Sequence, residues 1–408
     1  MKLEDAKLSL YKYKMKSFII TVGSGEKAVK EDVASSEISN FEIVHDYEKA
    51  YFPFFTITVT VPNEFYRTLT KPENSTKIKV KMQLQRGKFK DAIKMETDSG
   101  SNFRDVIKGT FVAIIGPKEQ DATADVQKAA EKSDNQYGQL SSITMALYPS
   151  SFYNKYDIVV NAVLETVTLM DVAVYCMNKT KINKMLVSPP DNHKSYSEFR
   201  IVPIPFNEQI SRLCNTYAFH KKGSIVYFDL DRGYIIDKNP KCTAYTENEY
   251  KNTYVAQSTN SSATSQTGGG YENSEKKYFL LNATSFGSGN KSGVTKKDVG
   301  NNVVSVNANG KVTKTNKKAT KVTRVVVQNE GESTAKAIKK GISETKHGIN
   351  CAFSNIDILA LTPNKQFIVA VEGTKNKKYN GKYRMTYCDH RFEKEGQYFS
   401  VTTTAMFL

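Results

Sequence analysis

Apolar and polar positions alternate with period two along much of this chain. Phe55, Ile57, Val59 and Val61 alternate with Thr56, Thr58 and Thr60. That is the pattern of a half-buried strand in an antiparallel sheet. Pro53, which lacks a ladder donor, suits the start or edge of such a strand. In Lys77–Gln85, Ile78, Val80, Met82 and Leu84 point one way and Lys and Gln point the other. Ser17–Val22 is an apolar strand ending at Gly23, and Gly109–Gly116 reads as a central strand. Pro62–Tyr66 opens a short helix or turn. Asp121–Ser142 is polar, with a short helix expected near Ala124–Lys132. Closely spaced strands of this kind predict a small barrel or sandwich over residues 1–150.

The period then changes. Thr168 is placed to cap a helix over Leu169–Met177, after a strand in Tyr156–Glu165. The stretch Lys184–Asp237 holds the sharpest signals. Arg200–Pro205 is a short apolar run, and Asn207 reads as the N-cap of a helix reaching Phe219, with Ile210, Leu213, Cys214 and Tyr217 at helical spacing. After Gly223, Ser224–Asp231 and Tyr234–Ile236 read as two strands joined at Asp231-Arg232-Gly233. Residues 151–256, with a further strand-rich segment in Lys241–Val255, therefore form an α+β middle domain. Gln257–Gly270 is rich in Gly, Ser and Thr and reads as a link. It opens a polar, basic insertion over 257–345 with short apolar islands at Tyr278–Ala283, Asn301–Val306 and Lys321–Val327. Strands return at Ile356–Leu361, Gln366–Val371, Lys382–His390 and Gln397–Leu408, so 346–408 reads as the C-terminal part of a second barrel. The expected class is α+β, mainly β, with two small antiparallel β-barrel domains flanking an α+β domain.

Composition adds charge and compartment. The 408 residues carry a net charge of +16, which a basic insert and solubility explain, or a surface facing nucleic acid or an acidic partner. Lys291–Arg324 concentrates this charge without the interleaved aromatics that stack bases. Five scattered cysteines, Cys176, Cys214, Cys242, Cys351 and Cys388, form neither a disulfide framework nor a zinc ribbon and point to folding in a reducing cytoplasm. Neither an export signal nor a membrane span is expected.

Four groups of residues invite a chemical reading. Gly23, Gly25 and Ala28 match the spacing of a dinucleotide fingerprint, but no amphipathic helix follows, so a plain turn is expected. His45 and Asp46 are neighbours on a strand and point to opposite faces. Cys388 and His390 share a strand face and, with Cys214 and His220, raise the question of zinc, although the spacings fit no finger. Asp229 and Asp231 share a face as acid/base or calcium ligands do, without an oxygen-rich loop around them. No catalytic, cofactor-binding or metal-binding residue is assigned, and no enzyme class has a positive motif.

The order of parts carries a resemblance. A β domain with HDYEKAYFPFFTITVTVP is followed by MLVSPPDN, then by RIVPIPFNEQISRLCNTYAFHKKGSIVYFDLDRGYII. The chain closes with YNGKYRMTYCDHRFEKEGQYFSVTTTAMFL, in which Tyr383, His390, Gly396 and Tyr398 onward keep a family pattern. Over most of 1–255 and 350–408 this resembles the baseplate hub proteins of bacteriophage tails, akin to the hub part of the type VI secretion spike. The resemblance implies a virion structural protein without an active site, two small barrels per subunit, and a homotrimeric ring adapting a sixfold tail tube to a threefold spike or tip. It implies as partners the tail tube protein, the central spike or tip protein and other baseplate proteins, with DNA passing through the channel, and it implies no cofactor and no membrane anchor. The 257–345 stretch departs from the pattern. A basic nucleic-acid or anionic-polymer module, or a cell-wall hydrolase component, stands as the alternative.

Overall fold

The computed structural model describes residues 7–48, 50–89, 103–115, 140–182, 184–230 and 232–238. Beyond them it describes 253–258, 270–272, 276–281, 287–289, 303–306, 312–314, 324–328, 333–335, 348–364, 366–371 and 381–407. The readings of Asp121–Ser142 as far as residue 139, of Lys241–Val255 as far as 252, and of most of Gln257–Gly270 and Lys291–Arg324 fall outside these residues.

The N-terminal part contributes β1 (Lys7–Val22), β2 (Val29–Asp32), β3 (Ile38–Asp46), β4 (Phe54–Pro62), helix α1 (Asn63–Leu69), β5 (Ile78–Phe89), β6 (Arg104–Ile115) and β7 (Leu140–Pro149). The middle part contributes β8 (Val159–Val167), α2 (Leu169–Thr180), β9 (Met185–Val187), β10 (Tyr196–Pro205), α3 (Phe206–Asn215), β11 (Ser224–Phe228) and β12 (Gly233–Asp237). Then follow β13 (Thr253–Ser258), β14 (Gly270–Glu272), β15 (Lys276–Leu281), β16 (Gly287–Gly289), β17 (Val303–Val306), β18 (Val312–Lys314) and β19 (Arg324–Val327). The chain closes with β20 (Gly348–Ser354), β21 (Gln366–Val371), β22 (Gly381–Glu395) and β23 (Tyr398–Phe407).

Eight strands close a barrel in the order β22-β3-β4-β7-β6-β5-β1-β23, every neighbour antiparallel. The alternation read in β4 and β5 is the reason: Phe55, Ile57, Val59, Ile78, Val80, Met82 and Leu84 are buried, while Lys79 and Lys81 are exposed. Aromatic rings fill the interior. Phe41 stacks on Phe392 at 4.6 Å, Tyr13 meets Phe392 edge-on at 5.2 Å, and Phe55 meets Phe111 at 5.0 Å. Such pairs add about 0.5–1.5 kcal/mol each beyond their burial.

This arrangement corrects the expected domain layout. Two of the eight barrel strands, β22 and β23, come from the C-terminal end, so the first barrel is completed by residues assigned to the second. Gly396, at a φ of +61°, makes the tight link between them. Three long strands also run on into a second circuit. Lys7–Ser9 of β1 pair with β14, the first half of β22 pairs with β21, and the second half of β23 pairs with β20. The circuit β1-β14-β15-β13-β21-β22 returns to β1 through β23. It is not purely antiparallel as expected, because β13 runs parallel to both β15 and β21. Long crossover connections permit that pairing. The mainly β, α+β class holds.

The middle module packs α2 and α3 against a two-stranded sheet, β8-β10, and a three-stranded sheet, β11-β12-β9. Thr168 caps α2 as expected, accepting from the Asp171 amide while Asp171 accepts from the Thr168 amide. Asn207 does not cap α3, which starts at Phe206 and ends at Asn215. The Phe206 and Asn207 amides instead donate to the carbonyls of Ile158 and Tyr156, so two amides of the first turn are satisfied by backbone. Hairpin β11-β12 separates two cores. Phe228 and Ile235 face the helices, whereas Tyr227, Tyr234 and Ile236 face Met385, Cys388 and Phe407 of the C-terminal strands.

Candidate functional site

Polar side chains gather where the barrel, hairpin β11-β12 and the C-terminal strands meet. Strand period two puts Cys388 and His390 on the inner face of β22, with the thiol 3.3 Å from His390 Nε2. His390 Nδ1 lies 2.8 Å from the Thr403 hydroxyl on β23. Register places His45 of β3 opposite Cys388, with its ring 5.6 Å from that of His390. His45 Nδ1 is hydrogen-bonded to the Tyr227 hydroxyl at 3.0 Å, and Tyr227 packs edge-on against Tyr47 at 4.5 Å. A cavity of about 580 Å3 opens beside this seam. His45, His390 and Phe55 line it from the barrel, Asp229 and Arg232 from the hairpin turn, and Leu361, Thr362 and Asn364 from the segment before β21.

Burial sets the protonation here. It lowers His45, against the pull of Asp229, and it lowers His390 strongly, with His45 adding to the effect. Burial, then Asp389, raises the Cys388 thiol. The Cys388–His390 contact therefore joins a neutral thiol to a neutral imidazole. A nucleophilic cysteine requires the thiolate, so this pair lacks the activated form.

Of the sequence candidates, His45, Cys388, His390 and Asp229 meet at this seam, and the others lie apart from it. Gly23 and Gly25 take positive φ, of +89° and +67°, and a single 3₁₀ turn and β2 follow instead of a helix. His45 faces the cavity while Asp46 lies outward and accepts from the Glu48 amide. The Asp229 carboxylate accepts from the Leu230 amide, and Asp231 lies outside the described residues. Cys214 and His220 sit in the middle module and both contact Ser224. Among the described residues, no three His, Cys, Asp or Glu side chains gather as a metal site.

His220 and Ser224 have the 2.8 Å contact of a base and its nucleophile. The other imidazole nitrogen, however, is directed at the Ser188 carbonyl at 3.3 Å, and His220 and Ser188 are both fully buried. The arrangement serves packing: Asp191 and Asn192 of the SPPDN stretch bond the backbone at Lys221 and Tyr217, and Ser188 accepts from the Asp237 amide. This stretch stood out in the sequence because its turn residues tie two distant loops together.

The contacts that lock the C-terminal segment to the barrel left no local signal. The Tyr13 hydroxyl donates to the Ile356 carbonyl at 2.6 Å and accepts from the Ile358 amide at 2.9 Å. Arg86 pairs with Asp357 and lies over the Tyr11 ring at 5.3 Å, and Lys12 pairs with Glu395. These contacts turn Ile358–Ala360 into a 3₁₀ turn capped by Asp357, where the sequence predicted a strand over Ile356–Leu361.

A search of curated proteins finds no significant match. Among solved structures, the chain is similar to a tail protein from Neisseria meningitidis MC58, with 9% identity, 96% of both chains covered and a TM-score of 0.48. It is also similar to the 43 kDa tail protein of prophage MuSo2 from Shewanella oneidensis, with 10% identity, coverage of 96% of this chain and 98% of that one, and a TM-score of 0.49. A component of the Escherichia coli type VI secretion system aligns at 9% identity over 96% of this chain and 76% of its own, with a TM-score of 0.39. The family model of the bacteriophage PBS1 gene 109 protein matches residues 26–406, and the chain belongs to that bacteriophage family.

Proposed function

We propose that this protein is a structural hub subunit of a phage tail baseplate, and that three copies form a ring joining the tail tube to the central spike or tip. Membership of a bacteriophage family supports the setting. The residues HDYEKAYFPFFTITVTV, MLVSPPDN and the closing YRMTYCDHRFEKEGQYFSVTTTAMF, quoted above for their likeness to hub proteins, support the role. The observation that carries the reading is the double circuit of strands: one closed eight-stranded barrel whose long strands β1, β22 and β23 continue into a second circuit. Two such units in each of three chains would offer six similar surfaces to a sixfold tube while the assembly keeps threefold symmetry for a spike.

The mechanism is geometric and needs no reacting group. The neutral Cys388–His390 pair and the buried His220 act as packing. The partners in this reading are the tail tube protein, the spike or tip protein and other baseplate proteins, with the genome passing along the ring axis and the protein residing in the virion. Light scattering of the purified chain, alone and with the tube protein of the same phage, tests it. A mass about three times the 45.8 kDa chain, with threefold rings in electron micrographs, is expected. A chain that stays monomeric at micromolar concentration in the presence of its tube protein would overturn the reading.

A further inference from the structure

Strand β6 is unpaired along part of one edge, and that edge borders the cavity at the seam. β7 pairs with β6 only from Phe111 to Ile115 and ends at Pro149, where the chain turns into the short helix Ser150–Tyr153. Among the described residues, no strand flanks Ile107–Thr110 on that side, while β5 pairs with them in unbroken register on the other. The Ser150 hydroxyl donates to the Thr110 carbonyl at 2.7 Å, so Thr110 turns its backbone groups toward the open side. Backbone direction alternates along an antiparallel strand, and Lys108 therefore turns its amide and carbonyl the same way. Ile107 and Lys108 both line the cavity. The same cavity holds polar groups that no neighbour satisfies. Asn364 is only 7% exposed, and its Oδ1 has no hydrogen-bond partner among the described residues. The Thr362 hydroxyl is likewise buried and unpartnered there. Buried polar groups are nearly always paired, so two orphans in one cavity call for a partner. The rest of the lining is largely apolar, with Ile43, Phe55 and Leu361 buried.

We propose that this cavity takes an extended peptide segment of another protein, which adds as a strand to the open edge of β6. Lys108 supplies one N–H and one C=O to the added strand, and the Asn364 amide and Thr362 hydroxyl bond its main chain. Every second side chain of the peptide is apolar and packs on Ile43, Phe55 and Leu361. Strand addition draws affinity from main-chain bonds and specificity from pockets for alternate side chains. Asp105 and Lys108, and Asp229 and Arg232, balance in sign along the lining, so the peptide needs no net charge. A compact small molecule would satisfy the orphans and leave the strand edge open, so the edge decides for a peptide. The site stands on the barrel's geometry; that the peptide comes from a tail protein of the same phage rests on the hub reading above.

The test uses the full chain and fluorescein-labelled peptides of about twelve residues, long enough for one strand, that overlap along the tube, spike and other tail proteins of the same phage. Fluorescence polarisation reads binding. At least one alternating sequence should bind, and the Lys108 amide should then become protected from hydrogen exchange. Methylating the peptide nitrogens that face β6 should weaken binding at least about tenfold, because those bonds are lost. Lys108→Pro removes the edge donor and leaves the β5 ladder intact, so it should weaken binding at least about tenfold, while Lys108→Thr binds as wild type. Circular dichroism checks that both variants fold, and the methylated peptides test the wild-type chain independently of them. Asn364→Leu should weaken binding about fivefold, while the peptide-free chain melts no lower than wild type, because a buried orphan is gone.

Binding that survives methylation of alternate nitrogens in either phase, or that leaves the Lys108 amide unprotected, overturns strand addition. An Asn364→Leu chain that melts lower yet binds as wild type assigns that side chain to packing and overturns its part in the site. A chain that binds none of the peptides overturns the inference as a whole. All three outcomes leave the ring reading standing, since assembly mass is measured separately. A chain that stays monomeric with its tube protein, yet protects the Lys108 amide on binding a peptide, overturns the ring and supports this site.

Discussion

Adding one methyl group at Gly233 tests whether hairpin β11-β12 is as tightly held as its position between two cores implies. Gly233 opens β12, pairs with Met185 of β9 on one side and with Phe228 of β11 on the other, and is buried. A Cβ built there would overlap Met185 Sδ and stand 3.0 Å from Met185 Cε and 2.9 Å from Phe228 Cδ1. Phe228 cannot retreat easily, since its ring lies against Phe152 at 5.3 Å, Phe206 at 5.6 Å and Phe52 at 6.0 Å. Met185 is half-buried and flexible, so it is the side chain that must move. Overpacking of a close-packed site costs about 1–3 kcal/mol, and with two neighbours in the way Gly233→Ala should fall at the upper end. Met185→Ala alone should cost about 2 kcal/mol, the low end for a large-to-small change, because the site is only half-buried. In the double variant the overlap with Met185 is gone, so the two costs should fall short of their sum by at least about 1 kcal/mol. Urea denaturation of the four proteins reads the cycle. Additivity within about 0.5 kcal/mol, or a Gly233→Ala chain as stable as wild type, would refute the steric argument.

Three further outcomes follow from buried polar groups. Burial holds His45, His220 and His390 below their ordinary values, so the unfolded chain takes up protons near pH 6.5 that the folded chain does not. Their contribution to stability is full above that pH and is lost as pH falls, by up to about 1.4 kcal/mol per pH unit for each histidine that stays neutral in the fold. Asp389 runs the other way. Raised to about 6, it adds stability below its unfolded value, and that contribution is lost as pH rises through about 6. Replacing His390 with Gln should flatten the acid limb of the denaturation profile, and Asp389→Asn should be more favourable relative to wild type at pH 7 than at pH 4; unchanged profiles would refute both assignments. Tyr13→Phe removes one hydroxyl that serves both the Ile356 carbonyl and the Ile358 amide, leaving two buried backbone groups unpaired. The expected cost is about 2 kcal/mol or more, with faster hydrogen exchange at the Ile358 amide; protection there equal to wild type would refute it.

Local pattern carried most of the elements. The alternation in β4, β5 and β23 stated which face is buried, and the Thr168–Asp171 pair stated where α2 begins. The failures share one physical origin, which is dependence on partners far along the chain. The segment from Ile356 to Leu361 has the apolar character of a strand, but Tyr13 and Arg86 bind it into a turn from some 270 to 345 residues away. Asn207 is a good capping residue whose capping role is taken by two carbonyls of the preceding loop. The expected boundary between a first and a second barrel failed for the same reason. Alternation says that β22 and β23 each have a buried face, and it cannot say which strands cover that face. The pairs of buried histidine, thiol and hydroxyl groups were legible only as Cys388 and His390, because His45, Tyr227 and Thr403 join them through register alone.

That dependence has a consequence for how the chain behaves as one object. Strands β1 and β3 to β7 cannot close the barrel without β22 and β23, which lie beyond the entire middle module in the chain. The core records the same fact, since Phe392, Phe399 and Val401 pack among Phe18, Phe41 and Val80. The middle module is thus inserted between β7 and β22 of a single barrel, and its hairpin lies against the strands that close that barrel. Contacts this distant in sequence are slow to form and make folding cooperative across the modules. They also mean that a load applied to either strand circuit passes along continuous β1, β22 and β23 and through hydrogen-bonded ladders, without crossing a flexible linker. Rigidity of this kind comes from the register of three long strands.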